Sequence, residues 1–425
     1  MSSRRQGRIV GLLAIMVGAV IVMAGCAAPA PPTPSPSASA PATPEPAAYD
    51  GPLMFVGDEI DAFLLTAAEI SDLLPDVSDV SDPIAGTDMY SDGGGAQFDP
   101  EECQALTIEQ QVRATGARSV QWRIGDVDLG PGTLRVLQFG SVAQAEERIQ
   151  QLRDASEECA SFRADGTGTF TDVASTERDG ILAVAGVLRL NGPGYAWNAF
   201  QGYAQVGNVL VEIIHEFAGE TTFDSEAVVE ALAGRAALAR TALIDKLTVA
   251  PPASAPPVAV DAATPVADWP IVFGAVGPLA LGDDAKQAAS EVPGVDLVQS
   301  EQQPDLLRVT VQGSTSNVDL RVDDSGAIDS IEVGAHFSES GAQNGALLPS
   351  AEGVRVGDPF SAAAAAFPEG SKLRVISAGN DVYMIADRSG QVIWFTAPYR
   401  GSGTADEAIT SISIEDASTW TYLRF

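Results

Sequence analysis

Residues 181–217 read ILAVAGVLRLNGPGYAWNAFQGYAQVGNVLVEIIHEF. Ile181 to Leu190 is an apolar run of strand length. Phe200–Val206 and Val209–Phe217 flank Gly207-Asn208, a two-residue hairpin signal. Strands joined by so short a turn pair antiparallel, and the segment is expected to belong to an antiparallel sheet. Upstream, Val120, Trp122 and Ile124 alternate as a half-buried strand requires, and Leu134, Val136 and Phe139 mark the next strand. Ser141-Val142-Ala143-Gln144 is a capping box that opens a helix through Ile149 and Leu152. Thr66-Ala67-Ala68-Glu69 is another, ahead of Ile70, Leu73 and Leu74, and Pro75 ends that helix. Between them, residues 76–97 are acidic and Gly-rich. Asp76, Asp79, Asp82, Asp88 and Asp92 lack the spacing of an EF-hand, so the stretch reads as a solvated loop and no metal site is expected. Downstream, Asp224 is placed to cap a helix whose Val228, Leu232, Ala239, Leu243 and Leu247 form one stripe. Helices around an antiparallel sheet define an α+β fold.

The whole chain has 425 residues, with 24 Lys+Arg against 57 Asp+Glu, a net charge of −33. Nucleic acid and anionic lipid headgroups need a basic footprint, so neither is an expected partner surface. Two histidines and three cysteines leave little material for zinc or Cys/His chemistry, and no motif implies a cofactor. Arg4, Arg5 and Arg8 precede an apolar run from Ile9 to Ala24, and Met23-Ala24-Gly25-Cys26 closes it. Small residues before a cysteine at that point resemble the lipobox of bacterial lipoproteins. The resemblance implies cleavage after residue 25 and diacylation of Cys26, which becomes the new N-terminus. Two acyl chains are enough for stable anchoring. Residues 26–51 then form an Ala/Pro/Ser/Thr linker unable to bury a core. A second Pro/Ala-rich run, 249–266, separates a first domain at 52–248 from a second at 267–425. The composition predicts two independent bodies without a large apolar interface.

Cys103 and Cys159 remain after lipidation, and in an exported protein they are expected to pair. The run around Leu134 to Cys159, RVLQFGSVAQAEERIQQLRDASEECASF with its flanks, resembles the extracellular sensor domain of mycobacterial PknH-type kinases. Phe139, Ser141, Ala145 and Cys159 sit at the matching positions, as do the opening LLTAAEISDLL and Cys103. The family occurs on kinases and as free-standing lipoproteins, and no kinase signature is present here. The resemblance implies an α+β fold with a cleft for an unidentified ligand.

In the second domain, Leu281-Gly282-Asp283 recurs as Val356-Gly357-Asp358. Ala285, Ala288, Ala289 and Val292 likewise recur as Phe360, Ala363, Ala364 and Phe367, 75 positions later. This predicts two copies of a helix followed by antiparallel strands, with Asp283 and Asp358 as helix caps. The pattern resembles the tandem repeats of β-lactamase-inhibitory protein, modules that bind proteins. An exposed sheet face bearing Trp394, Phe395 and Tyr399 is the expected form of such a surface.

Tyr195, Trp197 and Tyr203 are the candidate ligand-binding residues, being dense aromatics on one strand pair. His215 reads as a structural strand histidine and His336 as solvated. No catalytic residue is assigned. The expected function is a non-catalytic ligand-binding or sensory lipoprotein, lipid-anchored on the extracytoplasmic face of the cell membrane. The alternative is a protein-interaction or envelope-structural lipoprotein acting through the C-terminal repeats.

Overall fold

The apolar runs around the Gly207-Asn208 turn lie side by side in a computed structural model. It describes residues 47–89, 97–111, 113–125, 129–252, 263–301, 303–311, 314–334, 345–376, 378–399 and 406–421. Cys26 and His336 lie outside the described residues. The architecture is α+β, with two nine-stranded sheets, the first wholly antiparallel. At its centre Gly132–Phe139, Val209–Glu216, Tyr195–Val206 and Ile181–Gly192 lie side by side, with Ala114–Ile124 outside the first of them. Val206 pairs with Val209 across the turn, where Gly207 takes φ 56°. The Asn208 side chain donates to the carbonyls of Phe55 and Phe139 and accepts from Phe55 N, so this turn anchors the chain entering the domain.

Side-chain alternation gives the first sheet two apolar faces. Helix α1 (Ala67–Leu73) and helix α3 (Ser225–Val249) cover one. Val228, Leu232, Ala239, Leu243 and Leu247 of α3 are buried there against Phe200, Ala204 and Ile213. Helix α2 (Val142–Glu158) covers part of the other face through Ala145, Ile149, Leu152 and Ala155. Both capping boxes form: Thr66 Oγ1 accepts from Glu69 N at 3.2 Å and Ser141 Oγ from Gln144 N at 3.3 Å.

In the second sheet the strands run Val295–Gln299, Leu306–Val311, Ser314–Val322, Ile328–Gly334, Ser411–Asp416, Gln391–Pro398, Asn380–Ala386, Ser371–Val375 and Gly86–Met89. Helices α4 (Ala285–Ser290) and α5 (Phe360–Ala366) pack on one face. Gly282 N and Gly357 N donate to Ile328 O and Ile409 O, each at 2.8 Å. Ile328 N and Ile409 N donate back to Asp283 O and Asp358 O, each at 2.9 Å. Because the backbone of each Gly-Asp pair is bonded in this way, the aspartates stand ahead of the helices. The α4 cap is Asp284, not Asp283, accepting from Gln287 N. Pro359 occupies the cap of α5, and Asp358 accepts from Arg355 N.

Three further expectations are corrected. The acidic 76–97 stretch contains a strand, Gly86–Met89, which pairs parallel with Ser371–Val375 of the second sheet. Gly86 permits the approach: a Cβ there would lie 2.0 Å from the Lys372 carbonyl oxygen. The two bodies also share a large apolar interface. Leu373, Val375, Val382, Met384, Val392, Trp394 and Trp420 join Leu137, Leu182, Val184, Tyr203 and Leu210 in one core. The Ser371 hydroxyl accepts from Ala117 N at 3.0 Å and from Arg118 Nη1 at 3.1 Å across it. Finally, the aromatic face is not exposed. Trp394 packs on Trp420 and Phe395 on Phe367, on opposite sides of the sheet, while Arg374 covers the Tyr399 ring at 4.6 Å. An apolar strand with a core on each side leaves neither ring for a partner. The described residues form one compact unit.

Candidate functional site

Helix α2 carries its apolar stripe Ala145, Ile149 and Leu152 toward the sheet, and Arg148 lies within that stripe, only 8% exposed. Below it, the sheet presents one polar row across three strands. Glu212 stands opposite both Arg135 and Tyr203. Arg135 Nη1 binds Glu212 Oε2 at 2.7 Å. Tyr203 is buried, and its hydroxyl is pushed well above the usual range, first by burial and then by the Glu212 carboxylate. Arg148 is pushed the other way, first by burial and then by the like charge of Arg113.

Opposite α2 runs a 3-10 turn, Glu101–Leu106, continuing to Arg113. Gln110 Nε2 donates to Ala105 O and Ile108 O, and Gln201 Nε2 donates to Leu106 O, fixing this wall to itself and to the sheet. The disulfide Cys103–Cys159 ties the wall to the C-terminal cap of α2, with Cα atoms 5.7 Å apart. A cavity of about 490 Å³ lies between these two walls. Arg113 and Arg148 line it together with Gln104, Glu109, Gln151 and Asp154, and Glu101 and Glu102 are exposed at its margin. Thr421 of the second domain completes the lining. One turn before Arg148, the Gln144 amide donates to Ala417 O at 2.8 Å and to Trp420 O at 3.0 Å. Helix α2 therefore touches both the cavity and the last turn of the second domain.

The three aromatics singled out in the sequence share a face of one strand but not a site. Tyr195 and Tyr203 are eight residues apart, about 26 Å along a strand. Tyr195 is 47% exposed, Trp197 donates to Glu216 Oε1 at 2.8 Å, and Tyr203 belongs to the buried row. His215 accepts from Trp122 Nε1 through Nδ1 at 3.1 Å and packs against Phe223, the setting of a structural residue. The arginines of the cavity went unread because charged residues on a helix ordinarily mark its wet face. The available signal was position: Arg148 falls three after Ala145 and one before Ile149, inside the apolar stripe. Among the described residues no group of His, Cys, Asp and Glu has the arrangement of a metal site, and no helix is long and apolar enough to cross a membrane.

No protein-family model matches the chain, and no curated protein matches it in sequence. Among solved structures it is similar to the extracellular domain of PknH from Mycobacterium tuberculosis. Identity there is 15%, coverage 47% of this chain and 100% of that chain, and the TM-score 0.29. It is also similar to an uncharacterized protein of Mycobacterium smegmatis, the Rv0999 ortholog. Identity is 14%, coverage 43% of this chain and 97% of that one, and the TM-score 0.28.

Proposed function

We propose that the chain is an extracytoplasmic lipoprotein, anchored through Cys26, that binds a small ligand in its first domain and senses it without catalysis. The supporting observation is the cavity between α2 and the 101–113 wall, concave and lined by convergent polar groups. The disulfide beside it suits an oxidising compartment. Because α2 also carries the last turn of the second domain through Gln144, a ligand against α2 acts on the contact between the domains.

Thermal-shift screening of the purified protein against envelope glycans, lipids and small metabolites tests the binding role. A ligand raises the unfolding midpoint by mass action, and Gln104→Trp, which fills the cavity, abolishes that rise. A rise that survives Gln104→Trp places the ligand elsewhere, and the absence of any responsive compound removes the reading. For the anchor, Cys26→Ala is expected to leave the signal uncleaved or the protein unattached. Normal processing with full membrane retention would show that Cys26 is not the anchor.

A further inference from the structure

Resting on this reading of the cavity, we infer that Arg148 and Arg113 are a seat for an oxyanion, and that the ligand presents a carboxylate or phosphate group to them. Arg148 carries five N–H donors. Among the described residues its side chain makes one hydrogen bond, Nη1 to the neutral Gln151 Oε1 at 3.1 Å, and no carboxylate lies within 4 Å of it. A guanidinium this buried, with carboxylates near it but none in contact, is costly to the free protein and is completed by an anion entering the cavity. Glu212 does not fill that role, because Arg135 holds it at 2.7 Å.

Arg113 approaches from the other wall. Its backbone has φ 74°, a left-handed conformation seldom taken by arginine. Its Nε is buried without a partner, while Nη1 reaches Glu147 only at 3.4 Å. Of the acids lining the cavity, Asp154 accepts from Gln150, Glu109 is half-buried and already engaged, and Glu101 and Glu102 are exposed. A planar guanidinium matches the paired oxygens of a carboxylate or phosphate. The chain's net charge of −33 repels a polyanion, so the fitting ligand bears a single such group on an otherwise neutral body.

The test titrates the purified full-length protein with sodium phosphate and, separately, with sodium acetate, each against sodium chloride at equal ionic strength. A saturable rise in unfolding midpoint with either anion is expected. A response to phosphate alone assigns a phosphoryl group, and a response to acetate alone a carboxyl group. Arg148→Met and Arg113→Gln should each weaken the response at least tenfold. Arg148→Met should also raise the midpoint of the anion-free protein, because it removes a buried charge that no carboxylate contacts. Should Arg148→Met fail to fold, Arg113→Gln carries the test alone. No saturable rise with either anion, or a rise unchanged in Arg113→Gln, overturns the seat. A neutral envelope compound that shifts wild type and Arg148→Met equally would also overturn it while leaving the ligand-binding role intact.

Discussion

The titrations of His215, which is buried, and Glu332, which is half-buried, are shifted in opposite senses and pull stability in opposite directions. Burial depresses His215 from its ordinary 6.5 to about 4. The unfolded chain therefore takes up the proton first. Stability from the neutral ring is complete above pH 6.5 and is lost as pH falls through about 4, a loss of about 3 kcal/mol. Acid-sensitive carboxylates act in the same window, so the informative quantity is a difference. The stability of His215→Gln, which keeps an acceptor for Trp122, should fall less than that of wild type between pH 6.5 and 4. Parallel curves from urea unfolding would show that His215 is not the source. Glu332 is raised to about 8, first by burial and then by Asp319 and Glu415, with Arg321 and Arg308 opposing. Its folded state keeps the proton that the unfolded chain loses near 4.5, so this stability is full below 4.5 and lost as pH rises through 8. Glu332→Gln should gain on wild type between pH 5 and pH 8, and equal stability differences at both values would contradict this.

At the scale of elements, the disulfide joins a short 3-10 turn to a helix of 17 residues, adding to the Gln110 and Gln201 hydrogen bonds that hold the turn. Its sequence separation of 56 corresponds to about 4 kcal/mol in the chain-entropy account. Cys103→Ser with Cys159→Ser is expected to cost about 2–5 kcal/mol in denaturant unfolding. The same variant should speed hydrogen exchange in residues 101–111 more than in α3, because the cysteines pin the outer wall of the cavity and leave the far face of the sheet untouched. Uniform acceleration over both would mean that the bond stabilises the whole domain without shaping the wall.

For the molecule as a whole, the shared core makes the two domains one folding unit despite the proline-rich run between them. Leu373, Val382, Met384, Val392 and Trp394 face the first domain, and Gly86–Met89 of that domain pairs with the second sheet. Isolated residues 267–425 would expose this apolar face and lose its ninth strand. A protease cut confined to 253–262 should therefore leave two fragments that co-elute in size-exclusion chromatography and melt in a single transition. Fragments that separate without denaturant would show that the interface does not hold the domains together.

Local rules read the elements of this protein correctly because their causes lie within a few residues. The Thr66 and Ser141 capping boxes, the α3 stripe and the Gly207-Asn208 turn each depend on neighbours three or four positions away or fewer. The Cys103–Cys159 pairing was legible from exported context and count. The same rules misplaced what depends on a distant segment. An apolar strand such as Gln391–Pro398 reads identically whether one or both of its faces is buried, so the interface between the domains was invisible in it. The 76–97 stretch read as loop because its strand is completed by a parallel partner nearly 300 residues away, joining Gly86–Met89 to Ser371–Val375. Aromatic density pointed to Tyr195, Trp197 and Tyr203, whereas the cavity depends on Arg113, Arg148 and a wall held by Cys103. Only tertiary structure brings those groups together, because a cavity is a property of surfaces that meet and not of the residues along either one.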